Sequence, residues 1–386
     1  MTDSSLPLSN SSSHVGWIDL LRVVACVAVV LAHNCDAFVG QFLVDPVSFY
    51  TGAAIGSLMR PSVPLFVMIT AVLLLPVRST ITLPSFYRRR VGRIVVPLIF
   101  WSIALPLLTW LYFAVFSPGT QNPIVDLSSY NSSSVWHRIA TFIFNFNFDT
   151  TPLWYLYMLV GLYLIMPVIS TWLEKASPAE IRTLLWVWLI SLFLPYVEKV
   201  APLLGYVGNY GNMGILGVCD WNPYGTFYYL SGFVGYAVLA YYLRTYPLRW
   251  SSARLAAVCI PSFMIGYAIT FLGFVEINTS YPGDYSMLEI IWYFCSINVV
   301  MMTVPVFILF SRLHFSAPSW LSSLAGLTFG IYLCHFVFVF FAYDLLASTG
   351  WPYWIRIFGG CAVSFACAAA LTWIFSIWRP TRRLVG

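Results

Sequence analysis

An apolar run long enough to cross a bilayer, Gly16 to Phe38, carries four ionisable side chains: Asp19, Arg22, His33 and Asp36. A spanning helix takes about 20 apolar residues at about 1.5 Å each. Charged groups on such a helix are costly, and they point to a function and to partners. Arg22 and His33 lie about three turns apart, so they share one face at a separation of about 16 Å. Asp19 sits one turn before Arg22, and Asp36 one turn after His33. One stripe therefore presents a carboxylate, a guanidinium, an imidazole and a second carboxylate. The plainer alternative is an interfacial ion pair at one end and a His–Asp pair surfacing at the other.

Composition fixes the class of fold around this run. Of 386 residues, 60% are hydrophobic and 9% charged, and mean hydropathy is +0.82. Soluble domains carry about 25% charged residues, so the chain reads as an all-α, polytopic membrane protein. The net charge of +5 needs no nucleic acid, because arginines gather in short stretches between apolar runs, a positive-inside signal. Of the eight cysteines, most fall inside apolar runs. No Cys/His spacing suits a metal, and no disulfide framework is expected.

Read in order, residues 1–15 are a polar, Ser-rich stretch without a basic n-region, expected to be a disordered cytoplasmic tail rather than a signal peptide. About ten membrane helices are expected over residues 16–378, with a basic cytoplasmic tail at 379–386. The second span is placed at Ala54–Leu75 and the third at Ile94–Phe116. Between them a loop holds the run Arg88-Arg89-Arg90. That loop belongs to the cytoplasm, which puts both termini inside and His33 near the outer face. Residues 117–150 then form an outer loop with the composition of a lid. The sixth span is placed at Pro223–Leu243, and the eighth, at Ser286–Phe310, carries Glu289. Multi-pass residence in the cell inner membrane follows.

Motif searches mostly eliminate. The chain has no GxSxG elbow, no HExxH, no P-loop lysine and no voltage-sensor repeat. What remains is His33 with Asp36 one turn away, a late His335, and isolated arginines. A His–Asp pair suits a general base that takes a proton from a sugar hydroxyl as it attacks a thioester. The same residues equally suit a proton-coupled transporter or polysaccharide exporter. The residues by themselves leave both readings open.

Five blocks in order carry a family resemblance: Arg22 to His33 on the first span, Ser62-Val-Pro-Leu-Phe-Val-Met-Ile on the second, Phe86-Tyr-Arg-Arg-Arg-x2-Arg-Ile before the third, Leu153-Trp-Tyr-Leu at the fourth, and Gly330-Ile-Tyr-Leu-x-His335 near the end. Together they resemble the acyltransferase family 3 integral membrane O-acyltransferases, and in character the enterobacterial common antigen O-acetyltransferase branch. The second block departs from the commoner pattern, with Ile69-Thr-Ala where Ile-Ser-Gly is usual.

The resemblance implies transfer of an acyl group, acetyl above all, from cytoplasmic acyl-CoA to a hydroxyl of an extracytoplasmic or lipid-linked glycan. No permanently bound cofactor, metal or nucleic acid is expected. The partners are the bilayer, acyl-CoA and the acceptor. Arg22, with Asp19 beside it, is the expected donor-phosphate site, and His33 with Asp36 the catalytic pair. Arg60, Trp154, Tyr155, Glu289, Tyr332 and His335 are candidates for lining the site. An aromatic-belt or packing role is the competing account of Trp154 and Tyr332, and a satisfied buried imidazole that of His335.

Overall fold

The computed structural model describes residues 16–141, 147–206, 214, 216–219, 222, 224–282 and 290–386. Among them every regular element is helical and no strand forms. Lipid imposes that outcome, because a helix satisfies its backbone polar groups within one segment. The helices are α1 (Gly16–Val39), α2 (Pro46–Leu58), α3 (Ser62–Leu74), α4 (Leu83–Leu111, continued by a π-turn over Tyr112–Phe116), α5 (Ser132–Ala140), α6 (Trp154–Leu173), α7 (Pro178–Ser191), α8 (Leu194–Val200), α9 (Phe233–Thr245), α10 (Ser252–Ser280), α11 (Ile297–Ser311), α12 (Ser319–Ala347), α13 (Tyr353–Ile377) and α14 (Arg379–Arg382). Among the described residues nine helical stretches are long and apolar enough to cross a membrane. The all-α membrane architecture read from composition is thus the one observed. Where a sixth span was expected, a short 3-10 turn at Gly225–Leu230 leads into α9.

The bundle is arranged around α1, which packs on α2, α3, α11, α12 and α13. Its inward stripe, Leu21, Ala25, Cys26, Val30 and Cys35, is fully buried. Helices in lipid associate through close packing and interhelical hydrogen bonds rather than through the hydrophobic effect, and both operate here. Asn34 donates to its own helix at Val30 O (2.8 Å) and lies 3.4 Å from Ser364 Oγ on α13. A Cβ at Gly360 would come 2.6 Å from Asn34 Oδ1, so glycine is what lets α13 approach α1 there.

Four features depart from expectation. The second span begins early because Asp45 caps α2. Its carboxylate accepts from Ser48 N (3.0 Å) and from the Tyr353 hydroxyl, with Pro46 in the first turn. These bonds, the Tyr353 one foremost, hold Asp45 below the usual carboxylate range. The same span breaks at Met59–Pro61, since Pro61 cannot continue the ladder of backbone bonds. The third span also begins early, at Leu83, with Pro84 in its first turn. Arg88, Arg89, Arg90 and Arg93 therefore lie on helix α4 rather than in a loop. Finally, residues 379–386 fold back onto the bundle: Leu384 O accepts from Trp101 Nε1 (2.8 Å) and Val385 is buried.

Candidate active site

At one end of α1, Arg22 borders a cleft of about 350 Å³. Arg90 and Arg93 of α4 also line it, with Thr70 of α3, Tyr155 and Tyr163 of α6, and Tyr332 of α12. Arg90 and Arg93 are three residues apart, one helical turn, so both face the same way. A neighbouring depression of about 370 Å³ shares Arg93 and Gly386 with the cleft and adds Arg379, Arg382 and Arg383. Six guanidinium groups thus border one continuous basic groove. Guanidinium forks match phosphate oxygens in pairs, and such a groove suits a multiply charged phosphate compound.

Further along α1, His33 Nδ1 lies 2.9 Å from Asp36 Oδ2. An Nδ1–H bound to a carboxylate leaves Nε2 as the basic position of the ring. The His335 ring of α12 lies against it, with centroids 5.3 Å apart, and Phe336 sits edge-on at 5.2 Å. His335 is fully buried. Its Nδ1 is 2.7 Å from Tyr332 O, and a carbonyl can only accept, so Nδ1 is the donor. Its Nε2 has no partner among the described residues. One turn back on α12, the Tyr332 hydroxyl donates to Pro152 O and the ring stands edge-on to Tyr155 at 5.4 Å. Helix α12 therefore runs from the basic cleft, at Tyr332, to the imidazole pair, at His335. The cleft itself ends at Tyr332 and Tyr155 and does not include His33.

A family model described as an acyltransferase domain matches residues 15–373. The chain belongs to acyltransferase family 3. No curated relative and no solved structure matches it. In this membrane acyltransferase, Arg22 on the wall of the basic groove and the His33–Asp36 pair lie on one helix about three turns apart.

The other candidates of the acyltransferase fall in different places. Tyr155 and Tyr332 line the groove, and His335 lies against His33. Asp19 is buried, accepts from Ser322 Oγ (2.8 Å) and acts electrostatically on Arg22 without bordering the cleft. Arg60, thrown sideways by the break before Pro61, donates from Nε to Trp292 O (2.9 Å) and lies over the rings of Trp292 (5.0 Å) and Phe294 (4.2 Å). Trp154 stacks on Phe294 at 5.3 Å. Neither borders the cleft, and Arg60 acts electrostatically on Asp36. Glu289 lies outside the described residues.

Sequence reasoning missed several residues. Arg90 and Arg93 were detectable, because buried Phe86 and Ile94 share their helical face. The buried ion pair of Arg138 Nη1 with Asp149 Oδ2 (2.6 Å) carried no sequence signal, nor did Asn122 and Arg356, which meet His33 around a small cavity.

Proposed function

We propose that this acyltransferase moves an acyl group, acetyl in the simplest case, from acyl-CoA in the arginine groove to a hydroxyl of an extracytoplasmic or lipid-linked glycan. The observation that carries the reading is the continuity along α12 from the cleft at Tyr332 to His335, which lies against His33. Acyl-CoA carries a pyrophosphate and a 3′-phosphate, for which Arg22, Arg90, Arg93 and the α14 arginines are partners. Its pantetheine arm then reaches past Tyr332 and Tyr155 over the about 16 Å that separate Arg22 from His33. At the far end His33 Nε2 takes the acceptor hydroxyl's proton as the oxygen attacks the thioester carbonyl. The C–S bond breaks and the thiolate leaves, to be protonated by the imidazolium. Asp36 keeps the ring in the tautomer that leaves Nε2 basic.

The reading is tested with purified protein in nanodiscs supplied with acetyl-CoA and a membrane glycan extract. Thioester consumption above a His33→Ala control is expected with no membrane gradient. Solute movement by reconstituted vesicles, with thioester turnover no greater than that control, would replace the enzyme with a transporter that uses the same residues.

The donor end gives a separate prediction. Arg22→Lys keeps the charge but loses the paired fork. Acetyl-CoA affinity should fall about ten- to a hundredfold, the worth of one hydrogen bond to a charged group, while turnover at saturating donor changes less. Unaltered affinity by direct titration would remove Arg22 from the donor site.

Orientation follows from charge. The arginine end faces the cytoplasm of an inner membrane, and with the shorter α9 crossing as well as the nine longer stretches, both termini lie inside. Reporter fusions after Arg90, Arg249 and Arg383 should read cytoplasmic, and those after Asn131 and Thr349 external. An external signal after Arg249 would break this topology.

A further inference from the structure

We infer that the small cavity beside His33 seats the attacking oxygen of the acceptor, held by Asn122 and Arg356 together with His33. The inference rests on the acyl-transfer reading and names the acceptor side of that site. The cavity measures about 10 Å³, room for the centre of a single oxygen. It lies between α1, α12, α13 and the loop after α4, and its walls include His33, Asn34, Asn122, Tyr343 and Arg356.

Two of these groups carry unspent donors. Asn122 is 4% exposed, and its Nδ2 has no partner among the described residues. The same holds for Arg356 Nε, a buried atom. Buried donors without partners are rare and need a reason. Neither is a loose side chain. Asn122 Oδ1 accepts from Ile124 N (3.3 Å), and its backbone N–H donates to Thr120 Oγ1 (3.1 Å). Thr120 Oγ1 donates in turn to Asp344 Oδ1 on α12 (2.5 Å), whose other oxygen takes the hydroxyls of Tyr112 (2.7 Å) and Ser117 (2.6 Å). The Arg356 guanidinium lies near the ring faces of Phe38 (5.3 Å), Tyr343 (5.6 Å) and Tyr353 (5.7 Å). Asn34 is already engaged with Val30 O and Ser364.

The residues around the cavity therefore include an imidazole that can accept, His33, and two side chains with unspent donors, Asn122 at Nδ2 and Arg356 at Nε. A hydroxyl is the complement: one O–H to give and two lone pairs to receive. A neutral amine, with two N–H groups and one lone pair, is the reverse. The site thus takes an alcohol oxygen rather than an amine. As the proton passes to His33, the two N–H groups meet the charge that develops on the attacking oxygen.

The test uses the full chain in nanodiscs with acetyl-CoA as donor, and water and glycerol as acceptors, since both present the oxygen the cavity fits. Asn122→Asp keeps the shape and the acceptor for Ile124 N but removes the donor. Arg356→Lys keeps the charge near the rings but removes Nε. Each should slow both hydrolysis and glycerol acylation about tenfold or more, with acetyl-CoA affinity within about twofold of the parent. Parent-like turnover in both variants would make the cavity the seat of a structural water only and overturn the inference, leaving the donor reading intact. Loss of acetyl-CoA binding in step with turnover would overturn it too, by showing that both residues act through the fold. If the parent itself consumes no thioester beyond the His33→Ala level, acyl transfer fails and the subsite with it.

Discussion

Replacing His33 by alanine is expected to abolish acyl transfer while leaving acyl-CoA bound. The groove that holds the arginines does not include His33, so removal of the imidazole leaves every proposed phosphate contact in place. What is lost is the base, and general-base catalysis is worth about 10²–10⁴-fold. Asp36→Asn should fall between parent and His33→Ala, because the ring remains but the carboxylate that orients Nδ1 at 2.9 Å is gone. His335 has the same free Nε2, but it is wholly buried and has no carboxylate on Nδ1, which donates to Tyr332 O instead. Donor binding and turnover measured separately on monodisperse protein decide the matter. If His33→Ala loses acetyl-CoA binding as completely as Arg22→Lys, the division of labour along α1 is wrong, and His335 becomes the next candidate base.

The sequence made some of this site legible and hid the rest, for physical reasons. The His33–Asp36 contact was readable because three residues on a helix are neighbours whatever else the chain does. The nine long apolar stretches among the described residues were readable because lipid demands length and apolarity within one segment. The break at Met59–Pro61 was not read from the sequence, and a helix beginning at Pro46 rather than Ala54 depends on the cap supplied by Asp45. Arg88 to Arg93 were assigned to a loop because charge was read as solvent exposure. On α4 the same arginines occupy two faces, and only Arg90 and Arg93 turn to the cleft. His335 meeting His33 joins α12 to α1 across most of the chain, and no periodicity reports such a contact. Elimination and family resemblance pointed to that histidine, but neither placed it against His33. Asn122 and Arg356 carried no signal, since an asparagine in a polar loop and an arginine near a helix start are ordinary until the fold closes around them.

The largest expected effect on stability lies just outside that site, in the Arg138–Asp149 pair. Asp149 is wholly buried, while the Arg138 side chain is 16% exposed. The carboxylate also accepts from the Tyr130 hydroxyl (2.7 Å), and Arg138 Nη2 donates to Ser129 O (3.0 Å). Burial, and then the adjacent carboxylate, push the Tyr130 phenol up, so it stays protonated as the donor. Removing one partner of such a pair strands the other charge, at about 3–5 kcal/mol. Because the stranded group differs, the two halves are not equivalent. Arg138→Leu leaves a buried anion and should lower the unfolding midpoint most. Asp149→Asn leaves a partly solvated guanidinium beside an amide that still accepts hydrogen bonds, and should be milder. The double variant Arg138→Leu with Asp149→Asn should then be more stable than Arg138→Leu alone, because the stranded charge is gone. Turnover should follow the same order. Phe148, next to Asp149, packs edge-on to Phe336 at 5.5 Å, and Phe336 in turn packs on His33. Loosening the clamp thus loosens the wall behind the base. Unfolding midpoints of the parent, both single variants and the double variant complete the cycle. Simple additivity of the two losses would mean that the charges are not coupled, and the clamp would reduce to ordinary packing of the loop against α12.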